Sequence, residues 1–122
     1  MSSGSTRLIS HVQQGVTVVN FADTKVIDQR VISQIGAELM NMVKQGGVRK
    51  LLINMGHVRQ VSSAVLGKLI SLNNALEQEK GALKLCDIAP SVYEVFEITR
   101  LNTVMDIYPS ETDALEAFRM GK

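Results

Sequence analysis

Leu51-Leu52-Ile53 is an unbroken run of large apolar residues between Arg49-Lys50 and Asn54. Successive side chains of a strand point to opposite faces, so three such residues in a row need cover on both sides of a sheet. That requirement points to a layered α/β arrangement. The chain is 122 residues long, the length of one domain, and can bury roughly two-thirds of its unfolded surface.

The flanking sequence supplies the other layers. Residues 8–13 and 16–21 are β-prone and meet at Gln14-Gly15, which predicts a hairpin. Residues 22–27 read as a polar-interrupted connection, and Asp28 as a cap or first-turn acid. Over residues 29–45, Val31, Ile32, Ile35, Leu39, Met42 and Val43 recur at helical spacing, and Gly46-Gly47 ends the helix. The central strand follows at 48–54, then a loop at 55–61.

A second helix carries Val65, Leu66, Leu69, Ile70, Leu72 and Leu76 inward and stops at Gly81. Residues 82–87 form the next strand, and Pro90 suits the first turn of a third helix with Val92, Val95, Phe96 and Thr99 inside. Residues 104–107 read as the last strand. Ser110 with Asp113 resembles a capping box before Ala114, Leu115 and Phe118. The order ββαβαβαβα predicts a mixed sheet, opened by a hairpin and covered by about four helices. A single domain spans 8–119, behind a small, polar and flexible N-terminal tail at 1–7.

Several function classes find no support. Thirteen basic and twelve acidic residues give a net charge of +1, which offers nucleic acid or an anionic membrane no electrostatic purchase. Aromatic residues are scarce and tryptophan is absent, so the core is aliphatic. The single Cys86 sits in a strand and reads as a buried, inert thiol. No apolar run approaches the ~20 residues that span a bilayer, and the N-terminus lacks a signal pattern, which predicts a cytoplasmic protein without membrane insertion. His11 and His57 stand apart without metal-ligand spacing. Gly-x-Ser-x-Gly is missing around Ser62, no closely spaced carboxylate pair stands out, and Gly46-Gly47 is not followed by the Lys-Ser/Thr of a phosphate loop. No enzyme, metal or cofactor is expected.

The informative stretch is 61–70, Val-Ser-Ser-Ala-Val-Leu-Gly-Lys-Leu-Ile, which opens the second helix. Ser62 and Ser63 fall where backbone N–H groups have no intrahelical partner. A serine there caps the helix, or it carries a phosphate whose charge the helix N-terminus tolerates. The second reading requires an exposed hydroxyl.

This order of elements, with Leu51-Leu52-Ile53-Asn54, Val61-Ser62-Ser63-Ala64-Val65-Leu66-Gly67 and Leu83-Lys84-Leu85-Cys86, resembles the STAS domain over residues 8 to 119. Single-domain members of this length resemble anti-sigma-factor antagonists. The resemblance implies a non-catalytic regulator that binds an anti-sigma factor with serine-kinase activity and is switched by phosphorylation, the ATP belonging to the kinase. By position Ser62 matches the phosphorylated serine, with Ser63 second. Val61 stands where antagonists often carry Asp, and Ala64-Val65-Leu66 where many carry Gly-Leu-Gly.

The expected docking surface comprises Arg59, Val61, Ser62, Ser63, Ala64 and Val65, together with Asp23, Thr24 and Lys25 if that connection reaches the same end of the sheet. An unphosphorylated STAS adaptor, or a scaffold subunit of a signalling or membrane-transport complex, is the alternative. A small hydrolase is a third.

Overall fold

The computed structural model describes residues 8–122, and the expected tail at 1–7 lies outside the described residues. Strands β1 (Leu8–Gln13) and β2 (Val16–Phe21) pair antiparallel in continuous register from Leu8↔Phe21 to Gln13↔Val16. Gln14 and Gly15 join them with φ of 56° and 80°. Two left-handed residues in a two-residue loop match the right-handed twist of the strands, and Gly15 makes the second one cheap. After the short strand β3 (Lys25–Val26), helix α1 (Gln29–Lys44) is capped by Asp28, whose carboxylate accepts the N–H of Arg30 at 2.8 Å and of Val31 at 3.4 Å.

There follow β4 (Lys50–Asn54), β5 (Gln60–Val61), α2 (Ser63–Gln78), β6 (Ala82–Cys86), α3 (Pro90–Ile98), a 3-10 turn at Leu101–Thr103, β7 (Asp106–Tyr108) and α4 (Glu111–Arg119). The main sheet has the order β1-β2-β4-β6-β7, parallel except for β1. The central run divides its side chains as strand geometry demands. Leu51 and Ile53 join Val19, Phe21, Leu83 and Leu85 beneath α1, α2 and α3. Leu52 joins Val16, Val18 and Cys86 on the other face, beneath Ala114, Leu115 and Phe118 of α4. Each such Leu or Ile, fully buried, contributes about 1.5–3 kcal/mol.

The return from α2 into β6 is tight. A Cβ at Gly81 would lie 2.4 Å from the backbone carbonyl oxygen of Arg49, and the same glycine's N–H donates to the Leu76 carbonyl at 2.7 Å. Any side chain there would push the helix end off the sheet.

Three details depart from the sequence expectations. The connection at 22–27 and the loop at 55–61 each contain a two-residue strand, and these pair in parallel as a separate small sheet. The last strand lies two residues later than the expected 104–107, because Leu101–Thr103 coil into a 3-10 turn and buried Met105 plugs the core before β7 begins. Thr99 is exposed rather than inward, its hydroxyl donating to the Val95 carbonyl at 2.8 Å, while on α2 Ala75 is buried and Ile70 only partly so.

Lys84, flanked by Leu83 and Leu85 in β6, is 0% exposed in spite of its charge. Its ammonium donates to Asp106 Oδ2 at 3.3 Å and the Lys122 carbonyl at 2.7 Å, and lies 5.3 Å and 5.0 Å from the ring centroids of Tyr108 and Phe118. Two ring faces, a carboxylate and a carbonyl replace the water the cation loses.

Candidate functional site

The C-terminal end of the parallel sheet gathers most of the residues singled out from sequence. Leaving β4, the chain buries Met55 and Val58, which anchor the turn between them through a Val58 N–H to Met55 carbonyl bond of 3.0 Å. It then runs alongside β3. The Thr24 carbonyl accepts the N–H groups of Arg59 at 2.7 Å and Gln60 at 3.2 Å, and the Val26 carbonyl accepts that of Ser62 at 3.2 Å. The register Lys25↔Gln60 and Val26↔Val61 thus places Asp23, Thr24 and Lys25 beside Arg59, Val61 and Ser62. Thr24 and Lys25 are exposed and Asp23 is half-buried.

Ser62 is the N-cap of α2, with φ −94° and ψ 162°, and its carbonyl accepts the Val65 N–H at 3.1 Å. Its hydroxyl does not cap: no side-chain bond to the first turn forms. Instead Ser62 Oγ is removed from solvent and has no hydrogen-bond partner, the lone such side-chain atom among the described residues. The expected exposed hydroxyl is therefore at Ser63, the first helical residue, and not at Ser62.

Val61 and Ala64 are partly buried, whereas Val65 is 4% exposed and belongs to the core stripe with Leu66, Leu69 and Leu72. It supports the surface from beneath and offers no side chain to a partner. Arg59 folds back: its Nη1 donates to the carbonyls of Gly56 at 2.6 Å and Val58 at 3.2 Å, bracing its own turn. Ser91 at the start of α3 donates to the Arg59 carbonyl at 3.3 Å. An open cleft lined by Gly56, Arg59, Asp87, Ala89, Pro90 and Ser91 lies alongside.

Sequence reasoning missed two contributors. Ile27, directly after β3, is 46% exposed and follows Val26, whose carbonyl accepts the Ser62 N–H. Its position after a two-residue strand gave no periodic signal. Asn54 is the other: its amide nitrogen donates to Asp87 Oδ2 at 3.0 Å and Glu111 Oε1 at 2.9 Å, and its oxygen accepts the Gly56 N–H at 2.8 Å. One side chain thus ties the β4–β5 turn to the first turn of α4 and to the segment after β6. Two carboxylates far apart in sequence meet at this amide, a pairing no local spacing reveals.

His11 and His57 are both exposed and belong to no cluster, and among the described residues no group of three or more His, Cys, Asp or Glu could hold a metal ion. Cys86 is 0% exposed, and burial first, then the neighbouring Asp87 carboxylate, push its thiol well above the usual range. It is no nucleophile at neutral pH. No helix among the described residues is long and apolar enough to cross a membrane.

Comparison with known proteins agrees with this geometry. A family model described as the STAS domain matches residues 7–114. The chain is 32% identical over 94 residues to BtrV of Bordetella bronchiseptica, named as a candidate anti-sigma factor antagonist, covering 77% of this chain and 80% of that protein. An anti-sigma factor antagonist from Mycobacterium paratuberculosis superposes with a TM-score of 0.81 at 22% identity, over 98% of this chain and 99% of that one. The Bacillus cell-fate determinant SpoIIAA, solved in its phosphorylated form, superposes with a TM-score of 0.68 at 21% identity, over 91% and 98% of the two chains.

Proposed function

This chain belongs to the STAS domain family, and from that premise we propose that it acts as an anti-sigma-factor antagonist. In this reading it is a non-catalytic cytoplasmic regulator that docks on an anti-sigma factor with serine-kinase activity and is released when that kinase phosphorylates Ser62. The docking surface is the end built by β3, β5 and the first turn of α2: Asp23, Thr24, Lys25, Ile27, Arg59, Val61, Ser62, Ser63 and Ala64.

The observation that carries the reading is the idle hydroxyl of Ser62. It stands at the cap position of a helix of 16 residues and makes no cap bond, so phosphate on this oxygen breaks no side-chain hydrogen bond, while the residue's backbone bonds to Val26 and Val65 remain. A phosphoryl group adds about −1.5 to −2 charges and three acceptor oxygens. The free N–H groups and dipole of α2 offset that charge by roughly 0.3–1 kcal/mol per interaction, so the domain survives modification. A partner packed on the same spot must bury or oppose a dianion. That SpoIIAA, of the same fold, has been solved phosphorylated supports the reading. Because Ser62 Oγ is shielded, phosphoryl transfer requires the side chain to turn outward, an ordinary rotamer change at the mouth of a helix.

Intact-mass measurement and site mapping on protein purified from its native cells test this directly. One phosphate on Ser62 is the expected result, and phosphate confined to other residues overturns the assignment. The shielding of Ser62 Oγ favours a second reading, an unmodified adaptor or scaffold subunit of a signalling or membrane-transport complex. Under that reading partner binding is indifferent to both Ser62→Ala and Ser62→Asp; under the switch, Ala locks binding on and Asp weakens it.

A further inference from the structure

The two edges of the main sheet are treated differently. At one edge β7 has three residues, starts with Asp106 and is followed closely by Pro109. Shortness, charge and proline are the devices by which natural sheets refuse a further strand. At the other edge β1 has none of them. It runs six residues, Leu-Ile-Ser-His-Val-Gln, with no charge, no proline and an unbroken register against β2. Its outer side meets no strand among the described residues. Only Leu8 is buried, while Ile9 is 57% and Val12 is 72% exposed.

We propose that the free edge of β1 is a homotypic docking site, pairing antiparallel with β1 of a second copy of this chain about a two-fold axis through Ser10. The strand's own order selects that occupant. When a strand pairs antiparallel with a copy of itself about a two-fold axis, residues opposite one another share a face and so have the same parity, and their numbers sum to an even value. Centring the axis on Ser10 satisfies this and sets Leu8 opposite Val12 of the second copy, and Ile9 opposite His11 of the second copy. Leu8 lies on the face of the larger core, so Val12 of the second copy extends that core sideways and loses its exposure. No like charges face each other, because the strand carries none. Self-pairing is isologous and closes at two copies. Six residues a side bury less than the ~1,200 Å² of a standard complex, so the association depends on concentration.

Analytical ultracentrifugation of the full chain tests this between about 10 μM and 1 mM, the range of a weak interface. The weight-average mass is expected to climb toward twice the monomer's. Val12→Lys and Ile9→Lys, each at an exposed position and each checked for an unchanged circular dichroism spectrum and melting temperature, are expected to hold the chain monomeric. Ile98→Lys, at an exposed apolar residue away from the edge, is expected to associate like the parent. A parent that stays monomeric throughout overturns the proposal, including the case in which residues 1–7 cover the edge. So does association that persists in both β1 variants or is lost in Ile98→Lys.

Discussion

Helices α2 and α4 both begin after a serine in extended conformation, Ser62 and Ser110, and the two serines behave in opposite ways. Ser110 Oγ accepts the Asp113 N–H at 3.1 Å, and the next residue, Glu111, takes the Asn54 amide at 2.9 Å. Every polar group named around the start of α4 has a structural partner, as does Lys84 further along the same face. At the start of α2 the backbone has the cap conformation, but the hydroxyl is unpartnered and shielded. A cap residue that does not cap costs stability without return in the resting fold. The difference therefore marks the start of α2 as a place where the chain keeps a hydroxyl unengaged.

Four experiments probe the contrast, beginning with the largest effect. Lys84→Glu puts a buried carboxylate between two ring faces and next to Asp106. Leaving an uncompensated charge is expected to cost roughly 3–5 kcal/mol in a urea titration, and a smaller loss would show that the α4 side is less fully satisfied than its contacts indicate. Ser62→Asp is expected to weaken binding to the proposed anti-sigma partner about a hundredfold, near 2.8 kcal/mol, while Ser110→Asp, which keeps a capping acceptor, leaves binding unchanged. Equal effects of the two by titration calorimetry would erase the contrast.

Ser110→Ala is expected to lower stability by ~1 kcal/mol, the ordinary worth of a serine cap. Ser62→Ala is expected to change it by only a few tenths, or to raise it slightly, because an unsatisfied buried hydroxyl is removed. A full kcal/mol lost at Ser62 would mean that its hydroxyl caps in solution.

Much of the fold was legible because it rests on periodicity. The α1 stripe of Ile32, Ile35, Leu39 and Val43, the double-faced run in β4 and the α2 stripe from Val65 to Leu76 all appear where their spacing put them. Features set by closure rather than by repetition were not legible. The strands β3 and β5 have two residues each, too few for an alternation to register, and exist because the Thr24 and Val26 carbonyls find N–H groups some thirty-five residues away. Lys84 shows the limit of alternation itself: polarity at a strand position says which face it takes, not whether water reaches that face. For the site, two serines at a helix start were visible, but Ser62's lack of a partner depends on the packing around the turn.

The small sheet of β3 and β5 makes the proposed docking end a composite. Its two halves come from opposite sides of α1 and are held in register by a few backbone bonds. A synthetic peptide spanning Arg59 to Val65 carries one half without the other, and a peptide of the preceding connection carries the reverse. Only a chain that has already threaded α1 and β4 presents both, so an enzyme or inhibitor that reads this end also proofreads the fold before acting on it.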